Sequence, residues 1–175
     1  MRYKIKDIPS EGLPVELDLP RTLLSDALEG VEANLDATTA NARLELTRDR
    51  DDNVFVRGDV KALVTVPCAK CLAPALVKID APLDMTFVAE GEEVAEPDDP
   101  LAAADVAEHD GVTVDLEPIL REQIILSLPI SAYCRDNCAG LCATCGHNKN
   151  ESDCGHRPPT LEDARLAALK NLKLS

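Results

Sequence analysis

The chain has 175 residues and 45% hydrophobic content, enough for one buried core, which must be aliphatic because only two Phe, two Tyr and no Trp are present. No apolar run reaches the roughly 18–20 residues of a transmembrane helix, and the opening MRYKIKDIPS lacks the apolar stretch of a secretory signal, so a reducing cytoplasm is the expected compartment. Of the net charge of −14, nearly all comes from residues 79–120, where thirteen acids stand without a Lys or Arg; such a surface repels phosphate and disfavours nucleic-acid binding by the whole surface.

Residues 13–19 alternate, with Val15, Leu17 and Leu19 on one face, which is strand periodicity. Pro20 follows, and residues 21–29 read as a short helix closed by Gly30. Alternation returns at 41–48 through Ala42, Leu44 and Leu46, and the polar cluster 49–53 marks a turn. A long β-rich run, 54–66, contains Gly58, a candidate bulge. Pro67-Cys68-Ala69-Lys70-Cys71 interrupts, and 75–88 resumes the alternation. Three strands joined by short turns predict an antiparallel meander with a Cys hairpin.

Residues 89–111 mix acids, Pro and Ala with weak periodicity, and read as an acidic loop with a helical turn near 101–106. His109, within it, reads as solvated. A short strand is expected at 112–114 and a helix at 117–128. Pro118 is tolerated in that helix's first turn, Asp115 or Glu117 stands in capping position, and Pro129 ends it. A last helix is expected at 161–172, opened by Pro158-Pro159-Thr160, with Leu166, Leu169 and Leu172 as its apolar stripe. The expected fold is α+β: an antiparallel β-sheet with a packed helix, a zinc-stapled C-terminal segment and a terminal helix. The body spans residues 1–130, and the Cys-rich segment with the last helix spans 131–175.

Five of the seven cysteines fall within residues 133–156, a stretch too polar to build its own core. The seven cysteines, with His156, group as Cys68-x2-Cys71, Cys134-x3-Cys138, Cys142-x2-Cys145 and Cys154-x-His156. Seven Cys and one His make eight donors, enough for two tetrahedral zinc sites. A structural zinc would supply the folding energy that the segment lacks. The expected sites are Cys68, Cys71, Cys134 and Cys138, and then Cys142, Cys145, Cys154 and His156. The spacing also allows a single site drawn from Cys138, Cys142, Cys145 and Cys154, and it allows His147 in place of His156. Redox catalysis by Cys68 and Cys71 lacks the strand-to-helix setting that lowers a thiol pKa. A zinc-deaminase reading fails because every His follows residue 108, so no His-x-Glu precedes the cysteines. No Gly-rich phosphate loop, nucleophile elbow or singled-out carboxylate pair appears.

Four blocks, taken together, resemble one family. They are Cys68-Ala69-Lys70-Cys71-Leu72; Ile124-Ile125-Leu126-Ser127-Leu128-Pro129; Cys134-x3-Cys138-x-Gly140-Leu141-Cys142-x2-Cys145-Gly146-x-Asn148-x-Asn150-x3-Cys154; and Arg165-Leu166-Ala167-Ala168-Leu169-Lys170-Asn171-Leu172. Their order resembles the bacterial YceD family, the large ribosomal RNA subunit accumulation proteins. The specific part is residues 118–172. This chain departs from the family at 149–153, where Leu-Asn is common, and at Cys154-x-His156, where Cys-x-Cys is common. The resemblance implies a non-catalytic role in 23S rRNA accumulation and large-subunit assembly. Its partners would be 23S rRNA or a large-subunit precursor, through a basic ribosomal protein that suits the acidic stretch. Arg135, Lys149 and Arg157 mark the part that would face RNA. Two other readings compete: a zinc-loaded thiol redox switch, and a zinc-ribbon adaptor in another complex.

Overall fold

The structure is a computed structural model and describes residues 1–91 and 106–156. The expected terminal helix at 161–172 and most of the expected acidic loop, with its helical turn, lie outside the described residues. Among the described residues, seven strands and two α-helices follow in order: β1 (Arg2–Lys4), β2 (Leu13–Asp18), α1 (Arg21–Ala27), β3 (Thr39–Arg48), β4 (Val54–Pro67), β5 (Pro74–Ala89), β6 (Val106–His109), β7 (Thr113–Asp115) and α2 (Glu117–Leu126). Strands β2 to β6 form one sheet in sequence order, and β1 pairs with β7 apart from it.

The meander follows from the alternation of the strands. In β3, Ala40, Ala42, Leu44 and Leu46 point into the core while their neighbours face solvent. Val54, Val56, Val60, Ala62 and Val64 of β4 continue that face, as do Ile79, Ala81, Leu83 and Phe87 of β5. Leu23, Leu24 and Ala27 of α1 join the same core, with Ile119, Leu120 and Ile124 of α2. Each fully buried aliphatic side chain contributes roughly 1.5–3 kcal/mol. The other face is polar. Across it Arg57 meets Asp84 at 3.2 Å and Arg43 meets Glu16 at 3.4 Å, each pair directly opposite in register.

Three local expectations change. Gly58 is not a bulge: it sits opposite Leu44 in a ladder unbroken from Thr39–Leu63 to Arg48–Val54. Its φ of 155° and the closeness of the Arg43 carbonyl oxygen leave no room for a Cβ. The sheet is also not purely antiparallel, because β6 pairs parallel with β5, Thr86 opposite Val106. A parallel partner needs a connection of about a dozen residues, which the stretch between Ala89 and Val106 supplies. That pairing buries His109. It is 5% exposed, its Nε2 lies 3.1 Å from the Asp52 carbonyl oxygen, and its Nδ1 accepts from the Gly111 N–H at 3.0 Å.

Helix α2 begins where it was expected. The Asp115 carboxylate accepts the Glu117 N–H at 3.1 Å, satisfying a first-turn donor. Among the described residues, no helix is long and apolar enough to cross a membrane.

Candidate metal centre

Strands β4 and β5 end on paired prolines, Pro67 opposite Pro74. Proline has no N–H, so the chain between them is free to turn. There the Cys68 N–H donates to the Ala73 carbonyl at 2.8 Å, and the Leu72 N–H to the Cys68 carbonyl at 2.9 Å. This tight turn sends both thiols the same way. The Ala69 N–H then donates to the Ala132 carbonyl at 2.8 Å, which brings the segment after α2 alongside the hairpin.

The result is cluster one. Cys68, Cys71, Cys134 and Cys138 place their four sulfurs within 4.8 Å of one another. The Cys68–Cys138 sulfurs are 3.8 Å apart and those of Cys71–Cys134 are 3.6 Å apart. A tetrahedral ion with thiolate bonds of about 2.3 Å separates its sulfurs by about 3.8 Å, so the donor set fits such an ion. Cys68, Cys71 and Cys138 are buried, and Cys134 is half-buried.

Cluster two is Cys142, Cys145, Cys154 and His156, again with donor atoms within 4.8 Å. Its turn repeats the first. The Gly146 N–H donates to the Cys142 carbonyl and the Cys142 N–H to the His147 carbonyl, both at 2.8 Å. Gly146 takes φ 71°, the left-handed conformation that closes the knuckle. Cys142 is buried, Cys154 half-buried, and Cys145 and His156 exposed.

Electrostatics within the clusters favour a cation. Burial pushes the Cys68 thiol up, but the N–H groups of Cys134, Lys70 and Cys71 outweigh it and bring it down to about 6. The N–H groups of Cys145 and Thr144 hold Cys142 at about 6 against its burial. Cys134 goes the other way, pushed up to about 12 by burial and then by the neighbouring thiols of Cys71, Cys138 and Cys68. Four sulfurs this close cannot all ionise without positive charge among them. Burial raises Cys138, and the Asn150 amide and Gly140 N–H more than offset it.

All eight sequence-derived donors therefore assemble into two groups of four. Cys138 sits with Cys68, Cys71 and Cys134, not with Cys142. His147 belongs to neither group; its Nε2 lies 2.8 Å from the Ser152 hydroxyl. Asn150 stands in the Cys-rich motif between Cys145 and Cys154. Its Nδ2 donates to the Cys138 sulfur at 3.3 Å. Only three-dimensional contact reveals that role, because nothing in the spacing distinguishes Asn150 from Asn148.

Fold and clusters define an α+β protein in which a Cys hairpin at the end of a sheet brings two thiols against two from a Cys-rich loop, in a group that could hold a metal ion. The chain belongs to the YceD family: residues 56–173 match the family model described as Large ribosomal RNA subunit accumulation protein YceD. An uncharacterized protein of Mycobacterium tuberculosis (strain ATCC 25618 / H37Rv) is 34% identical over 161 residues, covering 87% of this chain and 72% of the relative. One from Mycobacterium leprae is 30% identical over 136 residues, covering 73% of this chain and 58% of the relative. The maize protein named Large ribosomal RNA subunit accumulation protein YCED homolog 1, chloroplastic, is 27% identical over 169 residues, covering 79% of this chain and 57% of its own. No solved structure matches the chain.

Proposed function

We propose that the protein is a non-catalytic factor in the cytoplasm that supports 23S rRNA accumulation and large-subunit assembly, with a structural zinc in each cluster. The family's description carries the ribosomal half of this reading. The geometry supports the other half. Cluster one offers four thiols and cluster two three thiols with one imidazole, and both sets suit zinc. Four protein ligands fill a tetrahedral shell and leave no position for water or substrate, which marks a structural metal. In this reading the body, residues 1–130, and the Cys-rich segment from 131 onward are separate parts that cluster one fastens together.

The acidic stretch suits a basic ribosomal protein as the immediate partner. Asp80 and Asp84 belong to the sheet's outer face, where Lys61 and Arg57 stand opposite and offset them. The acids of residues 90–110 stand in a stretch of sequence without Lys or Arg. Arg135 and Lys149, on the Cys-rich side, would face rRNA. A pull-down at native salt, with RNA sequencing and mass spectrometry on one eluate, tests this. The expected eluate contains 23S rRNA and large-subunit proteins; an eluate without either contradicts the reading.

A second reading is a zinc-loaded thiol switch, favoured by the exposure of Cys145. Mild peroxide would then eject metal from cluster two. Retained metal and unreactive thiols would contradict it.

A further inference from the structure

Asn150 belongs to the loop closed by cluster two, yet its side chain reaches cluster one. Its Nδ2 donates to the Cys138 sulfur at 3.3 Å and to Asn148 Oδ1 at 2.8 Å. Its Oδ1 accepts the Ala139 N–H at 2.8 Å. That last bond fixes the orientation of the amide: a backbone N–H can only donate, so the oxygen faces Ala139 and the nitrogen faces sulfur. Its backbone N–H is held by Asn148 Oδ1 at 3.1 Å, and Asn148 pairs with Leu141 across the loop. Leu141 in turn donates its N–H to the Lys70 carbonyl at 3.0 Å, between Cys68 and Cys71. The folded shape of the second loop thus delivers one amide to a sulfur of the first cluster.

We infer that Asn150 couples the two clusters, so that metal capture by Cys142, Cys145, Cys154 and His156 strengthens capture by Cys68, Cys71, Cys134 and Cys138. The inference rests on the metal reading above and names how the two sites regulate each other. An N–H donated to a ligating sulfur disperses its charge and fixes its direction; loss of such a partner typically weakens a metal site 10–100-fold. Coupling of binding is reciprocal, so loading cluster one must favour cluster two by the same factor. Asn150 is a positioning residue, acting through Cys138.

The test is metal titration of the full chain, with ions per chain counted by native mass spectrometry. Cobalt absorption separates the four-thiolate site from the three-thiolate, one-imidazole site. Wild type should pass from no ion to two with few singly loaded chains. Asn150→Ala should weaken cluster one about 10–100-fold and let singly loaded chains accumulate. Asn150→Asp keeps the acceptor for Ala139 but turns an acidic oxygen toward the sulfur, so it should lose at least as much; it separates the sulfur contact from loop folding. Disabling cluster two with Cys145→Ser and Cys154→Ser should weaken cluster one in wild type but add little in Asn150→Ala. Wild-type affinity at cluster one in both Asn150 variants would overturn the coupling. Failure of wild type to bind any ion would instead overturn the metal reading itself.

Discussion

Leu72 and Gly146 occupy the same place in two copies of one turn. Each follows the second cysteine of a Cys-x2-Cys pair, and each is left-handed, at φ 61° and 71°. Glycine takes that conformation freely, whereas a leucine there bears roughly 1–2 kcal/mol of strain. Leu72 is also 66% exposed, so its side chain returns little burial for that strain.

Leu72→Gly should therefore be neutral or slightly stabilising. The relieved strain is offset by about 0.4–1 kcal/mol of added freedom in the unfolded chain. Gly146→Val imposes the strain where none exists and should lower the melting temperature clearly. Thermal melts of the two variants check the pair; a large loss from Leu72→Gly would show that the exposed leucine makes a contact the knuckle needs.

The hairpin and the C-terminal segment share cluster one, so damage to one should reach the other. Cys71→Ser weakens the site, and where ligands hold a segment the metal's binding free energy is folding free energy. Hydrogen exchange should rise at residues 131–140 as well as around 66–75. A rise confined to the hairpin would break the link.

Asp115 gives the fold a pH dependence at its β1–β7 pair. Burial pushes its carboxyl up, but the Arg2 guanidinium at 2.9 Å, the Met1 ammonium at 3.0 Å and the Glu117 N–H bring it down to about 2. An unfolded Asp titrates near 3.9, at about the top of the window. The folded pKa is the lower, so the stabilisation is complete above about pH 4 and is lost as pH falls towards 2. Exchange at Arg2–Lys4 should quicken across that range, and Asp115→Asn should remove the dependence.

The two faces of the sheet should respond differently. Leu46 is fully buried, and Leu46→Ala should cost about 2–5 kcal/mol. Arg57→Ala breaks only an exposed pair with Asp84 and should cost under about 1 kcal/mol. Denaturant unfolding of both variants measures the contrast.

Much of this was legible in the sequence, for identifiable reasons. The alternation in β3 is strict because one face is wet, and β4 and β5 are long β-rich runs set off by turn signals, so the strands and their antiparallel order could be read directly. The two Cys-x2-Cys pairs and the later donors could be counted, and their short spacings restricted the grouping. The parallel β6 could not be read: four residues in an acidic stretch carry no periodicity, and their pairing is set by the crossover. His109 reads as solvated along the chain for the same reason, since its burial depends on β6 docking beside the Asp52 turn. Asn150 was hidden because an amide facing a sulfur leaves no pattern along the chain.

Metal content tests the central claim most directly. Metal analysis of the purified chain, run beside thiol titration in native buffer, should give two zinc ions per chain and cysteines that react only after a chelator is added. No metal, with all seven thiols freely titratable in the native protein, would contradict the account.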